Sequence, residues 1–343
     1  MNIYVLNTVE IGVDSLNILR KHLDIRGVIG LSERRATDAI SGYRYMKPYC
    51  EEHGLAFVEA RTYSLSDPED RSRLSGLDID LLIVGGWQRL IPQWLIRHCR
   101  HGVIGAHGSA SGITGGRGRS PQNWALILGK SEFYVSIFKI DEGIDSGAVI
   151  DTRRFELTRF DDIRTSYYKM SWLTSHMIVD NVKNGKAFSS GLPAQHGETR
   201  YLPQRRPEDG EVDWSRTSRQ VHDFVRALTR PYPGAFSRLG DETIRIWRGR
   251  PFDVATNDTG FDFGRIVRLH ANGDFLVRTR NSFYLVEDYS RDTPDNGSPL
   301  REGDVLSSCD FTGQMREIVR RHHARFPGLP LARDILAAAG LPE

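Results

Sequence analysis

The sequence predicts an α/β protein in which a mainly parallel sheet is followed by a small open β-barrel and a helical C-terminal tail. Through the first half, apolar runs of strand length alternate with amphipathic stretches, which is the rhythm of βαβ units. Residues 184–212 are then rich in Gly, Pro, Gln and charge, which is typical of a linker. Beyond them come short strands separated by Asn-Gly and Gly-Asp turns, a pattern that favours a barrel.

The elements of the first half follow from the spacing of apolar residues. Strands are predicted at 3–6, 27–31, 56–60, 81–84, 103–106, 133–140 and 148–155. Helices are predicted at 13–23, 43–53, 92–98, 122–128 and 162–182. Pro121 suits the first turn of its helix, and Gly129 ends that helix.

The second half begins with a helix that is predicted to open at Asp213 and to stop at residues 231–234 (Pro-Tyr-Pro-Gly). Strands are predicted at 235–239, 243–247, 264–269, 274–278 and 282–287, and helical pieces at 314–326 and 331–339. We therefore predict an α/β domain over residues 1–200, a barrel-like domain over 201–300 and a helical appendage over 301–343.

Composition and charge narrow the class of function. The 343 residues are 39% hydrophobic and 26% charged, as in an ordinary globular protein. Residues 201–343 contain 21 Arg, no Lys and 21 Asp plus Glu, so this part lacks the positive excess of a bulk nucleic-acid binder. No apolar run reaches membrane-spanning length and the first residues do not resemble a signal peptide, so we expect a cytoplasmic protein that binds no membrane. Three scattered cysteines fit neither a disulfide framework nor a metal site.

Chemically versatile residues concentrate between positions 103 and 147. His107 follows a predicted central strand, at the edge where open α/β sheets place their ligand crevice. Asp145 lies in a glycine turn after the next strand, so its carboxylate could face the imidazole and orient it. Taken singly, each residue also fits a structural turn position, and the pairing favours the catalytic interpretation.

Three motifs in this stretch resemble the folate-dependent formyltransferase family, which includes methionyl-tRNA formyltransferase, glycinamide ribonucleotide transformylase and the nucleotide-sugar N-formyltransferases. They are residues 105–109 (Gly-Ala-His-Gly-Ser), 117–125 (Arg-Gly-Arg-Ser-Pro-Gln-Asn-Trp-Ala) and 141–147 (Asp-Glu-Gly-Ile-Asp-Ser-Gly). The His-Gly-Ser and Arg-Ser-Pro-x-Asn-Trp details look closest to the sugar branch. The resemblance covers about residues 1–290 and implies a Rossmann-like formyltransferase domain followed by an OB-like domain.

The resemblance implies transfer of a formyl group from the co-substrate N10-formyltetrahydrofolate to a primary amine, without a metal. In that reaction His107 would stabilise the developing oxyanion, and Asp145 would hold His107 and help to remove the amine proton. The resemblance further implies folate contacts at Trp87, Arg89, Leu90, Ile91, Ile140, Asp141 and Gly143, and substrate contacts at Ser109, Arg117, Arg119 and Asn123.

Gly105 departs from the family pattern. The family has an Asn at this position, whose amide binds the formyl oxygen, and loss of one such donor costs roughly 3 to 4 kcal/mol. Another amide could replace it, with Asn7, Gln122 and Asn123 as the candidates, although the sugar branch often carries an Asn at the last position already. Alternatively, an ordered water could fill the gap, or the chemistry could be altered or lost.

Three functions therefore stay open. The first is an N-formyltransferase for an amino sugar linked to a nucleotide, and the second is methionyl-tRNA formyltransferase. The third is a catalytically silent folate- or nucleotide-binding homologue. The even charge balance favours the small substrate over nucleic acid, and a homodimer formed through the terminal helices or the barrel also stays open.

Overall fold

The computed structural model describes residues 1–35, 40, 42–254, 260, 262–292 and 299–342. The chain forms two compact units. The first comprises Met1–Arg117, Glu132–Glu156 and Tyr167–Thr199, and the second comprises Gly118–Ser131, Leu157–Ser166 and Arg200–Glu343. The second unit thus takes in two segments that precede the predicted boundary near residue 200.

The strands are β1 (Ile3–Asn7), β2 (Ile25–Leu31), β3 (Ala56–Ala60), β4 (Leu81–Gly86), β5 (Val103–Ser109), β6 (Arg117–Gly118), β7 (Glu132–Lys139), β8 (Val149–Glu156), β9 (Tyr201–Leu202), β10 (Ala235–Leu239), β11 (Glu242–Phe252), β12 (Ile266–Leu269), β13 (Phe275–Arg278) and β14 (Phe283–Arg291). The α-helices are α1 (Glu10–His22), α2 (Lys47–Glu52), α3 (Pro68–Ser75), α4 (Gln93–His98), α5 (Gly112–Gly115), α6 (Pro121–Ile127), α7 (Ile163–Lys183), α8 (Ser218–Leu228), α9 (Phe311–Arg325) and α10 (Arg333–Ala338). Short 3-10 turns lie at Glu33–Arg35, Lys186–Phe188 and Pro207–Gly210.

The first unit is built on a seven-stranded sheet of order β3-β2-β1-β4-β5-β7-β8. The strands β1 to β5 run parallel, whereas β7 and β8 are antiparallel to their neighbours. The central strands are apolar along their length because they are buried on both faces. The mainly parallel sheet predicted from the sequence is confirmed.

Two features of the first unit were not predicted. Helix α3 begins after Asp67, whose side chain accepts a hydrogen bond from the Glu69 N–H at 2.8 Å, and Pro68 occupies its first turn. This Asp-Pro pair is the signal that could have found the helix. Helix α2 begins only at Lys47, four residues later than predicted, because Tyr43 forms an isolated bridge with Val9 instead.

The second unit contains a five-stranded antiparallel sheet of order β10-β11-β14-β13-β12, in agreement with the predicted small β domain. Helix α8 packs against β11. It begins at Ser218, after a capping box formed by Thr217 and Gln220, and not at Asp213 as predicted. The carboxylate of Asp213 instead accepts hydrogen bonds from the backbone N–H groups of Ser215 and Phe311.

The cysteines are unsuited to nucleophilic chemistry. Burial raises the pKa of the Cys50 thiol to about 11 and those of Cys99 and Cys309 to about 12, so all three stay protonated near neutral pH. Within the described ranges, no three His, Cys, Asp or Glu side chains converge closely enough to bind a metal ion. None of the described helices combines the length and apolarity needed to cross a bilayer.

Candidate active site

The side chain of His107 is held near the end of a central strand. Strand β5 is predicted to stop at position 106 but continues to Ser109, because β7 keeps pairing with it, with His107 opposite Ser136. The imidazole is only 8% exposed. A buried ring at this position is fixed by the sheet and still lies next to the loop that follows the strand.

Both ring nitrogens of His107 face an acceptor. Nδ1 lies 3.4 Å from Oδ2 of Asp145. Nε2 lies 2.8 Å from the carbonyl oxygen of Gly116, to which its N–H donates. Only a ring with a proton on each nitrogen can donate to both acceptors at once. The ring of His107 is therefore held between two acceptors.

Asp145 is presented by a tight turn between β7 and β8. Its φ of +49° lies in the left-handed region, which is uncommon for a residue with a side chain. Asp141 braces the turn from inside, since its Oδ1 accepts hydrogen bonds from Gly143 N at 3.1 Å and from Ser146 Oγ at 2.5 Å. A Cβ at Gly147 would lie 1.6 Å from the Lys139 carbonyl oxygen, so only glycine fits there.

Gln195 ties this turn to Arg117, and sequence reasoning missed it. Its Nε2 donates to the carbonyl oxygens of Asp145 and Gly147, both at 2.8 Å. Its Oε1 accepts a hydrogen bond from Nη2 of Arg117 at 2.6 Å. Arg117 is 8% exposed, and its Nε has no hydrogen-bond partner among the described residues. A single Gln in a polar linker carries no sequence signal that marks it as functional.

The space beside Gly105 is filled by an apolar side chain. A Cβ at Gly105 would lie 2.8 Å from Cδ1 and 2.9 Å from Cγ1 of Ile140. These distances are too short for real atoms, so Ile140 would have to move for any larger residue to fit. Ile140 therefore occupies the volume that a side chain at position 105 would need.

The amides considered as replacements make hydrogen bonds of their own. Asn7 is fully buried, with Nδ2 3.6 Å from Sδ of Met46 and Oδ1 accepting from Val9 N at 3.1 Å. It lies on β1, and β4 separates that strand from β5. At the usual strand spacing, β1 and β5 are therefore about 10 Å apart. In the second unit, Gln122 donates to the Ser166 carbonyl oxygen at 3.3 Å and Asn123 to that of Ala227 at 2.7 Å.

The two remaining residues with an implied substrate contact differ in exposure. Ser109 is buried, and its Oγ accepts a hydrogen bond from Ser111 N at 3.1 Å. Arg119 belongs to the second unit, where its side chain is exposed and its backbone N–H donates to the Leu202 carbonyl oxygen at 3.2 Å. The structure thus groups His107, Asp145 and Arg117 in the first unit, and Arg119, Gln122 and Asn123 in the second.

The residues with implied folate contacts surround one apolar cluster. Trp87 and Ile91 belong to the cluster, and Ile140 packs against it. The Trp87 Nε1–H is buried and has no hydrogen-bond partner in the part of the chain that the structure describes. Leu90 is 61% exposed, and the Arg89 guanidinium lies 4.7 Å above the Tyr63 ring. Apolar side chains, an unpaired donor and a guanidinium over an aromatic ring are groups that a flat heteroaromatic ligand such as a pterin can contact.

Comparisons with known proteins match both parts of the chain to one family. Residues 27–182 match the family model described as "Formyl transferase", and residues 205–294 match that of "Formyl transferase, C-terminal domain". A methionyl-tRNA formyltransferase from Geobacter metallireducens is 28% identical over 257 residues, which are 68% of this chain and 81% of the relative.

Two solved structures share the fold at low sequence identity. HypX from Aquifex aeolicus in complex with tetrahydrofolic acid is 16% identical with a TM-score of 0.59, and the match covers 96% of this chain and 48% of HypX. An N-formyltransferase from Helicobacter canadensis, in complex with folinic acid and dTDP-3-aminofucose, is 14% identical with a TM-score of 0.55, and the match covers 84% of this chain and 100% of that protein. The chain therefore spans about half the length of HypX.

Proposed function

The chain belongs to the formyl transferase family, and on that premise we propose that it transfers the formyl group of N10-formyltetrahydrofolate to the primary amine of a nucleotide-linked amino sugar. The observation that carries the proposal is the His107–Asp145 pair, with 3.4 Å between Nδ1 and Oδ2, beside a cluster with an unpaired buried donor. Formyl transfer to an amine needs a hydrogen-bond donor where oxyanion charge develops and a base for the amine proton.

The proposed roles follow from the contacts of each residue. N10-formyltetrahydrofolate supplies the electrophilic formyl carbon. His107 supplies an N–H donor to the oxygen that becomes negative, and its Nε2–H must leave the Gly116 carbonyl to do so. Asp145 keeps the Nδ1 proton in place and accepts the proton that the amine loses as the new C–N bond forms. The formyl C–N10 bond then breaks, and one proton passes to N10 so that neutral tetrahydrofolate leaves. The turn braced by Asp141 and Gly143 holds Asp145 where both tasks can be done.

The co-substrate and the nucleotide are assigned to different groups. We assign the pterin to the cluster that contains Trp87 and Ile91, with Arg89, Leu90 and Ile140 at its edges. The phosphates of the nucleotide are assigned to Arg117, whose buried guanidinium has no carboxylate partner among the described residues, with Ser109 near the sugar.

Charge favours a small substrate over tRNA. Residues 201–343 contain 21 Arg and 21 Asp plus Glu, so this part of the chain lacks the positive excess that supports binding of a long phosphate backbone. The methionyl-tRNA formyltransferase relatives nevertheless make tRNA the second candidate substrate. Ile140, which fills the space beside Gly105, motivates the third candidate, a homologue that binds folate without turnover.

Single-turnover formyl transfer tests the proposal. Wild type and His107→Ala are compared with N10-formyltetrahydrofolate and a panel of dTDP- and UDP-linked amino sugars, with methionyl-tRNA as the competing acceptor. We expect transfer to at least one sugar, with a rate that falls about 10²- to 10⁴-fold in His107→Ala. Equal background rates in both proteins would contradict the proposal. Transfer to methionyl-tRNA alone would instead assign the protein as a methionyl-tRNA formyltransferase.

A further inference from the structure

The second unit contains a cleft of about 720 Å³ that the proposed chemistry does not use. Its walls come from the segment that leads into α7, from one side of α8, and from strands β11 and β14. All of the lining residues belong to the second unit. The volume falls within the range of pockets that bind small molecules, about 300 to 1,000 Å³.

The lining of the cleft is strongly cationic. Among the residues that the structure describes, seven arginines and four carboxylates line it, whereas the whole chain has a net charge of only +2. Glu287 already pairs with Arg250 at 2.6 Å, and Asp288 pairs with Arg230 at 3.3 Å. Asp223, which is not among the lining residues, pairs with Arg226 at 2.7 Å and with Arg219 at 3.6 Å, so the uncompensated positive charge lies on the remaining arginines.

Two of the arginines have no carboxylate partner among the described residues. Arg159 and Arg164 are exposed and form no ion pair within that part of the chain; the guanidinium of Arg159 instead lies 4.9 Å above the Phe160 ring. An unpaired guanidinium at the rim of a cleft offers the paired N–H donors that phosphate oxygens accept. Phe160 itself is 80% exposed, which is unusual for an aromatic ring and leaves a face for stacking.

Neutral polar groups complete the lining. Neither the Tyr284 hydroxyl nor Nδ1 of His222 has a hydrogen-bond partner among the described residues, and both residues line the cleft. Burial raises the pKa of Tyr284 and lowers that of His222, so both are neutral near pH 7. A neutral phenol donates and a neutral imidazole accepts, which is the pair of roles that a ribose hydroxyl can satisfy.

We propose that this cleft binds a nucleoside phosphate, with the phosphates on Arg159 and Arg164 and the base against Phe160. A nucleoside diphosphate matches the walls in three respects: negative charge, a flat ring, and hydroxyls for the unpaired polar groups. A continuous RNA backbone fits less well, because the four interspersed carboxylates repel successive phosphates. This site involves neither His107 nor Asp145.

Titration of the full-length protein with UDP and with inorganic diphosphate tests this proposal. Arg159→Glu/Arg164→Glu should weaken the binding of both ligands at least about tenfold, since two phosphate contacts become repulsive. Arg280→Glu/Arg325→Glu is the matched control, because these arginines are exposed, lie in the same unit outside the cleft, and form no ion pair among the described residues. Unchanged affinity in the cleft variant, or equal loss in the control, would overturn the proposal.

Two further variants separate the base from the phosphates and the cleft from the candidate active site. Phe160→Ala should weaken UDP several-fold but leave diphosphate unchanged, and equal effects on both ligands would contradict the assignment of the base. Arg117→Ala, which removes the guanidinium assigned to the nucleotide of the active site and lies outside the cleft, should leave the cleft titration unchanged, so binding of UDP to the cleft can be observed whether or not formyl transfer is. Tighter binding of an oligouridylate than of UDP, lost in the cleft variant, would instead assign the surface to RNA.

Discussion

Each unit places a histidine beside charged groups, and the two surroundings differ. His107 in the first unit faces a carboxylate on one ring nitrogen and a carbonyl oxygen on the other. Burial lowers the pKa of His222 in the second unit, the nearby Arg226 guanidinium lowers it further, and Asp223 acts in the other direction. His107 thus has an acceptor at each ring nitrogen, whereas the surroundings of His222 disfavour the charged form of its ring.

The difference shows how each region is suited to its proposed task. In the first unit, the proposed hydrogen-bond donor is one ring that is held by the sheet and faces a braced turn. In the second unit, positive charge is carried by exposed arginines such as Arg159 and Arg164, which can rearrange around a ligand. A fixed donor suits a transition state, whereas mobile cations suit the binding of an anion.

Neutralising Asp145 is expected to have the largest effect on the rate of formyl transfer. Asp145→Asn keeps the size of the side chain and tolerates the left-handed backbone, but it cannot take up the amine proton. We expect the rate of formyl transfer to fall about 10²- to 10⁴-fold in a single-turnover assay. The melting temperature should change little, since Asp145 is 23% exposed. A rate within twofold of wild type would remove Asp145 from the mechanism.

Restoring an amide at position 105 is expected to have the next largest effect. Gly105→Asn alone should not accelerate transfer, because Ile140 occupies the space. Gly105→Asn/Ile140→Ala should exceed Ile140→Ala by about 10²-fold, the contribution of one oxyanion donor. Gly105→Leu/Ile140→Ala is the control, since it has a similar volume without an amide. Equal rates in the two double variants would show that volume, and not the amide, limits the reaction.

Gln195 provides a smaller and more specific test of how the turn is held. Gln195→Ala removes two hydrogen bonds from the backbone of the Asp145 turn, each worth about 1 kcal/mol, so kcat should fall by up to about 30-fold. The KM for the folate should change little, whereas the KM for the nucleotide sugar should rise, because Gln195 also accepts a hydrogen bond from Arg117. Gln93→Ala, an exposed glutamine of the same unit, is the control. A rise in KM without loss of kcat would mean that Gln195 instead contacts a substrate.

These residues also show how far the sequence predicts the structure. The apolar rhythm predicts the strands and the parallel core because burial on both faces leaves a strong local pattern. The pattern ends β5 too early, since the polar residues His107 and Ser109 stay in the strand only through pairing with β7. Gln195 was missed for a related reason, as it is 50 residues away from Asp145 in the chain. The packing of Ile140 against Gly105 is likewise a contact between distant residues.

The smallest expected effect concerns the pH dependence of stability, and it tests His222 in the second unit. Because the pKa of His222 is lowered in the folded protein, the unfolded chain binds a proton more readily, and stability must fall as pH decreases below about 6.5. The carbonyls of Arg159 and Gly249 act against this shift, so the contribution is modest.

His222→Gln should therefore lose less in melting temperature than wild type between about pH 7.5 and pH 5.5. His322, whose pKa burial also lowers, remains in both proteins and cancels from their difference. His270→Gln, at an exposed position of the same unit, serves as the control and should follow wild type. If His222→Gln lost as much as wild type, the neutral environment inferred for this histidine would be wrong. Added UDP should raise the melting temperature of both proteins at neutral pH, because a ligand that binds the folded state stabilises it.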